Sequence, residues 1–312
     1  MGFALTLALL LLANPLDPTN FLHIELGEKT VAILDRADYT LPVDGVPVAD
    51  DYRLQKVIDD VAKQAYVEPI NATINAQGSI VAEKKGRKLD EAAFLQQFYQ
   101  YYYGEGASTL QVSFQEVHPK VDKALISQVR KKVIGQYATY FNSRNKNRSH
   151  NIKLASQAIN NYVVLPGEIF SFNKVVGQRT KEKGYMQAPI IVRGELSEGI
   201  GGGICQVSST LFNAVDKAGL HIMQRYSHSR NVAYVPPGRD ATVSWYGPDF
   251  VFQNKYAYPI MLRAIAGNGA MYVTVHSFPE IEYEPRHVPS VRQNTPEEGP
   301  ASPETITEPT LP

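Results

Sequence analysis

Cysteine is nearly absent from this chain: Cys205 stands alone among 312 residues. A single cysteine excludes an intrachain disulfide, and it cannot build a metal cluster with its sequence neighbours. An excess of charge of either sign is also missing, because 31 Lys and Arg balance 31 Asp and Glu. That balance gives no basis for nucleic acid or an anionic membrane surface as a partner. No apolar run reaches the roughly 20 residues that an ordinary transmembrane helix needs. With 44% hydrophobic and 20% charged residues, the chain has enough apolar material for a folded core. Its length suggests two domains of roughly 100–150 residues each, plus extensions.

The first stretch is apolar. Gly2 to Leu12 reads GFALTLALLLL, and the first Lys or Arg is Lys29. This run has the length of a signal-peptide h-region but no basic n-region before it. Residues 1–20 are expected to be a signal peptide or a membrane anchor that places the rest of the chain outside the cytoplasm. The competing reading is a buried element of the fold.

Periodicity then divides the chain. In residues 51–65, Leu54, Val57, Ile58 and Val61 fall on one helical face. Two short strands follow around Gln77-Gly78, then a loop at Lys84–Arg87. Asp90 can cap a second helix carrying Phe94, Leu95 and Phe98. LQVSFQEV alternates as a half-buried strand would, with Leu110, Val112 and Phe114 on one side. Residues 24–118 thus read as a small α+β module. In its tyrosine cluster, Tyr99, Tyr101, Tyr102 and Tyr103, the rings could stack on sugars or shield the helix against the sheet. Residues 119–135 are expected to be a connecting helix. From 136 to 280 an amphipathic helix with Ser149 or Asn151 as N-cap precedes ATVSWY, DFVFQNKY, PIMLRAIA and MYVTVHS, all strand-like. The last two flank Gly267-Asn268-Gly269, a hairpin turn. Residues 281–312 are rich in Pro and Glu and are expected to be disordered. The fold class predicted is α+β: a small module, a strand-rich α+β domain, and a tail.

The chemistry concentrates at Gly201-Gly202-Gly203-Ile204-Cys205-Gln206-Val207-Ser208. The glycine run leads directly into Cys205, from which Val207, Leu211 and Val215 have helical spacing and Ala218-Gly219 offers a stop. Cys205 is therefore predicted at a helix N-terminus, where the dipole favours a thiolate. Glycines there let backbone N–H groups converge, as an oxyanion hole requires. A nucleophile of this kind needs a base. Among His150, His221, His228 and His276, His228 stands in a polar loop, and Asp240 could orient its ring. The opposing reading makes Cys205 a small buried core residue. No cofactor is expected, because the glycine run lacks the Lys-Ser/Thr of a phosphate-binding loop.

Two resemblances add to this reading. The helix, the paired strands with KKGRKLD and the closing VSFQEVHPKV make residues 24–118 similar to the peptidoglycan-binding-like domain found beside VanW domains. Arg148–Ile152, LPGEIFSFN at 165–173, Val176–Thr180, Gly184-Tyr185, GGGICQVSSTLFNA at 201–214, His228-Ser229 and YVPPGRDATV at 234–243 together resemble the VanW family. The resemblance implies a surface protein of the bacterial cell envelope with peptidoglycan as its partner, and it brings no established activity. Two function classes follow. One is a thiol enzyme acting on peptidoglycan amides through Cys205, His228 and Asp240. The other is a non-catalytic wall-binding or scaffold protein in which Cys205 is packing. In either class Gly201, Gly202, Gly203, Gln206, Ser208, Arg179 and Arg239 are candidate ligand contacts, with Arg239 able to clamp a carboxylate.

Overall fold

The computed structural model describes residues 20–104, 108–192 and 195–291. The expected leader at 1–20 falls outside these residues except for Asn20, and the tail beyond 291 also lies outside them. In chain order the elements are β1 (Phe21–Leu26), β2 (Lys29–Asp35), β3 (Thr40–Leu41), β4 (Val48–Ala49), α1 (Asp51–Ala65), β5 (Thr73–Ile74), β6 (Ile80–Val81), β7 (Gly86–Leu89), α2 (Glu91–Tyr102), β8 (Thr109–Gln111) and β9 (Phe114–Val117). There follow α3 (Lys123–Val129), β10 (Lys132–Tyr140), α4 (Lys146–Ile159), β11 (Tyr162–Val164), β12 (Ile169–Ser171), α5 (Phe172–Val176), β13 (Gln187–Val192), β14 (Glu195–Ile200), α6 (Ile204–Lys217), β15 (His221–Gln224), β16 (Val251–Gln253), β17 (Ile260–Gly267) and β18 (Ala270–Ser277). The mixture of helices and strands is α+β, as the sequence predicts. The described residues form two compact units, one from those up to 72 plus 82–120, the other from 73–81 plus those from Val121 to 291.

In the first unit β1 pairs antiparallel with β2 and parallel with β8. Asp50 and Asp90 cap α1 and α2 by accepting from the amides of Arg53 and Ala93, which satisfies donors that a helix start leaves open. The apolar faces of the two helices, including Leu54, Ile58, Phe94 and Phe98, join Leu22 and Ile24 in one core. Tyr101 and Tyr102 are buried in it, whereas Tyr103 is exposed and Tyr99 donates its hydroxyl to Asp51 at 2.7 Å. Shielding therefore accounts for two of the four rings.

Three expectations about local structure need correction. LQVSFQEV is two strands, because the chain changes partners at Val112-Ser113: β8 joins β1 and β9 joins β7, and Phe114 is consequently exposed. The helix expected over 119–135 is only the seven residues of α3, and Lys132 onward is strand. The period-2 burial of Tyr137 and Thr139 in β10 overrides the weaker helical spacing before it. Third, α4 is capped by Asn145, whose side chain accepts from the Arg148 amide at 3.1 Å, and neither Ser149 nor Asn151 is the cap.

The second unit is built on an antiparallel sheet in the order β10-β18-β17-β11. The β17–β18 hairpin turns through Asn268 and Gly269, both at positive φ, as an Asn-Gly hairpin requires. A smaller sheet, β12-β16-β15, contributes Phe170 stacked on Phe252. Helix α6 crosses the middle of this core with Val207, Leu211 and Val215 fully buried, each contributing about 1.5–3 kcal/mol by leaving water. It approaches β10 so closely that a side chain at Gly135 would overlap the Ala214 carbonyl. ATVSWY forms no strand: its amides bond singly to Ser209, Tyr226 and Pro248. The start of the Pro- and Glu-rich segment also departs from expectation. Ile281 and Val288 are buried, and Arg286 pairs with Asp216 at 2.8 Å, so residues 281–291 pack on the core.

Candidate active site

The site grows out of α6. Gly203, at φ +103°, is its N-cap and has no side chain to close the first turn. Cys205 therefore sits in the first turn as a half-buried residue. The three preceding glycines each have a steric reason. A β-carbon on Gly202 would lie 2.5 Å from the Pro189 carbonyl oxygen, one on Gly203 would lie 2.9 Å from Ile152, and Gly201 has φ +86° with Arg179 packed against it. Asn151, buried on α4, pins this loop by donating to the Gly202 carbonyl at 3.1 Å. The amides of Gly201, Ile204 and Gln206 are occupied by carbonyls. Those of Gly202, Gly203 and Cys205 have no protein partner among the described residues.

The polar side of α6 then fixes a distant strip of chain. Ser209 accepts from the Ala241 amide at 2.8 Å, Asn213 donates to the Arg239 carbonyl at 2.7 Å, and Ser208 donates to the Ala241 carbonyl. Between those anchors lies Asp240. Its carboxylate accepts from both the backbone amide and Nδ1 of His228, each at 2.6 Å. The imidazole held this way lines the same cleft as the Cys205 thiol, and each shifts the protonation of the other. With Nδ1 engaged, Nε2 is the nitrogen left for the sulfur. Cys205 Sγ also lies 3.7 Å from Thr242 Oγ1 and 3.6 Å from the Val243 carbonyl oxygen.

Charge follows from these contacts. Burial pushes the Cys205 thiol up, but the hydrogen bond and charge of His228, with bonds from Val243 and Thr242, outweigh it and hold the thiol below its ordinary value. Burial disfavours the imidazolium, yet bonds to Asp240 and Cys205 raise His228 to about 10. Asp240 is raised by burial and lowered further by His228, so it stays ionised. A thiolate–imidazolium pair with a supporting carboxylate is chemically competent as a nucleophile with its proton carrier. The other histidines stand elsewhere: His221 is exposed on β15, His150 bonds to the Gly184 carbonyl, and His276 bonds to Thr274.

A family model described as "VanW like protein" matches residues 147–276, which hold every group of this array. Another, "Putative peptidoglycan binding domain", matches residues 33–101. Over 290 residues the chain is 53% identical to "Uncharacterized protein YoaR" of Bacillus subtilis (strain 168), covering 93% of this chain and 96% of that one. The chain belongs to the VanW family. It is also 35% identical over 104 residues to "Vancomycin B-type resistance protein VanW" of Enterococcus faecalis (strain ATCC 700802 / V583), a match covering 32% of this chain and 38% of the relative. No solved structure matches it.

In the VanW domain Cys205 and His228 open onto a cleft of about 730 Å³. Arg179 lines it, with Nη1 donating to Asn173 Oδ1 at 2.8 Å and to the Gly177 carbonyl at 3.1 Å. Three residues predicted as ligand contacts are placed differently. Gln206 borders the cleft, but its amide is spent on protein: Nε2 donates to Thr139 and the Tyr140 carbonyl, and Oε1 accepts from Arg148 at 2.7 Å. Arg239 lies outside the cleft lining, bonded to Asn213 and Asp216 over the Phe212 ring. Ser208 is buried and joins α6 to residue 241. The sequence reasoning missed Trp245 and Tyr246, which give the cleft an exposed aromatic rim. It also missed Asn151, Ser209 and Asn213, whose only sequence signal is polarity at helix positions that face the core.

Among the described residues no helix is long and apolar enough to cross a membrane. No group of three or more His, Cys, Asp or Glu among them is placed to hold a metal ion.

Proposed function

We propose that this protein is an exported cell-envelope protein whose VanW domain carries out cysteine-dependent acyl transfer or hydrolysis at peptidoglycan stem peptides. Its first unit holds the wall polymer, and the apolar segment within residues 1–20 directs export or anchors the chain. The observation that carries the catalytic part is the array Cys205–His228–Asp240 at a cleft, with the amides of Gly202, Gly203 and Cys205 unpaired among the described residues at the start of the same helix. Binding alone has no need of a thiolate, so this array favours an enzyme over a scaffold. The peptidoglycan part is supported by the domain matched at residues 33–101 and by the family of the second domain.

The reaction follows from the groups present. The Cys205 thiolate attacks an amide carbonyl carbon, forming a C–S bond and an oxyanion next to the amides of Gly202, Gly203 and Cys205. The C–N bond breaks as the His228 imidazolium gives its proton to the leaving amine. Water or a second amine then attacks the thioester and passes its proton to the neutral imidazole; the C–S bond breaks and the thiolate–imidazolium pair returns. Asp240 touches no substrate; it holds the ring and its charge. Intact-mass analysis after acid quenching of the protein with soluble muropeptides tests this reading. An acyl adduct that maps to Cys205, absent from Cys205→Ser, is expected. Unmodified protein together with unchanged muropeptides would reject the enzyme and leave a binding role.

A further inference from the structure

The described lining of the cleft carries more cations than anions. Arg148, Arg179 and His228 line it, and no Asp or Glu is among its described lining residues. Arg179 is the half-buried part of that field with donors to spare. Its two hydrogen bonds run from Nη1 to neutral oxygens, and Nε and Nη2 have no protein partner among the described residues. Burial works against its charge, and the first counter-charge it meets is the Cys205 thiolate. A guanidinium kept ionised in a half-buried wall with two adjacent donors unused matches a carboxylate, which takes paired N–H bonds from an arginine fork. Pro189, Ile190 and Val243 make the neighbouring wall apolar.

We propose that Arg179 recognises the free C-terminal carboxylate of the peptide attacked at Cys205, so that the substrates are peptides cleaved or exchanged at their last amide, beside a small apolar residue. This rests on the acyl-transfer reading above and adds a substrate class to it. One residue spans about 3.3–3.6 Å, so a terminal carboxylate fixed on the loop wall holds the adjoining carbonyl within reach of the α6 N-terminus. Arg179 thereby positions and selects, and takes no part in proton transfer. Once the thiolate is acylated its charge is gone, and His228 has given its proton to the leaving group. Arg179, still charged, then holds the carboxylate product until it exits.

The test separates binding from turnover. The chain has one tryptophan, Trp245, and it lines the cleft, so intrinsic fluorescence reports occupancy. In the full chain carrying Cys205→Ala, diacetyl-L-lysyl-D-alanyl-D-alanine, which has a single carboxylate, should bind saturably. Its C-terminal carboxamide should bind at least about tenfold more weakly. Arg179→Gln in that background should lose the preference, and Arg179→Lys should keep part of it. Equal affinity for acid and carboxamide, no saturable binding of either, or a preference that survives in Arg179→Gln would overturn the proposal. So would inorganic phosphate competing as well as the acid, which would assign the cations to a phosphate. The acid and carboxamide comparison needs no change at Arg179, so a folding defect there leaves it decisive. If the acid binds as expected while wild-type protein forms no Cys205 adduct, recognition stands and acyl transfer fails.

Discussion

Asp240 accepts two hydrogen bonds from the same residue, His228, one from its backbone amide and one from Nδ1, both at 2.6 Å. The double bond to one carboxylate locks the ring's tautomer and its plane at once. It also makes Asp240 the source of the charge that lowers the Cys205 thiol through His228.

Asp240→Asn should separate orientation from charge. The amide can still accept from the backbone, but it no longer favours the imidazolium. Loss of an adjacent opposite charge shifts a pKa by about 1–3 units, so the pH midpoint for alkylation of Cys205 by iodoacetamide should rise by that order. Wild-type protein should react well below pH 8. A midpoint unchanged in the variant would mean that Asp240 does not act on the thiol.

Stability should depend on pH in a defined way. Folded, the pair shares one proton as thiolate and imidazolium. Below about 6.5, the ordinary histidine value, the unfolded chain holds two protons there and stability rises with pH; above about 8.5 it holds none and stability falls. His228, raised to about 10, sets the upper end of that fall. The histidine contribution is thus present at low pH and lost as pH climbs toward 10, while the cysteine contribution is present at high pH and lost as pH drops through the lowered thiol value. Melting temperatures across pH 5–10 should show a plateau near 6.5–8.5. His228→Ala should flatten the rise below 6.5, because the buried thiol loses the chief partner that lowers it.

How much of this was readable beforehand follows the range of the interactions. The glycine run before Cys205 and the spacing of Val207, Leu211 and Val215 are local, and they place the thiol correctly at a helix start. His228 was separable from His221 because its neighbours are polar. The strands between Phe21 and Ala49 carry too little alternation to stand out, and the pairing of β1 with β8 is set almost 90 residues away. Gln206 and Arg239 illustrate the opposite limit. Both lie in the densest motifs, yet their side chains turn inward to bury polar faces of α6 and α4. Motif position tells which chain segment builds the site; only packing decides which side chain enters it.

Gly203→Ala should damage the site through the backbone. Its φ of +103° is unfavourable for any residue with a β-carbon, and that atom would also press on Ile152 at 2.9 Å. A left-handed conformation costs about 1–2 kcal/mol per residue, and the overlap adds to it. A lowered melting temperature is expected with slower alkylation of Cys205, because the first turn of α6 shifts. Wild-type reactivity in a fully folded Gly203→Ala would show that the turn does not set the sulfur.

Cys205→Ser decides what the thiol is for. Cys205 is a half-buried residue at a cleft, with the Thr242 hydroxyl and the His228 ring beside it, and a serine hydroxyl can take up the same bonds. Stability should therefore change by less than about 1 kcal/mol, a shift of roughly 2–4 °C for a domain of this size. A packing cysteine behaves otherwise: a hydroxyl left unpaired in a core costs about 1–3 kcal/mol. Serine is far less nucleophilic near neutrality, because Asp240 and His228 arrange the site around a thiolate that serine cannot supply. Acyl transfer should fall by about 10³-fold or more. Melting of the purified variant, paired with muropeptide turnover, reads both quantities. An unchanged melt with lost turnover assigns Cys205 to chemistry. A depressed melt with turnover retained below it makes Cys205 a core residue, and the acyl-transfer mechanism is then abandoned.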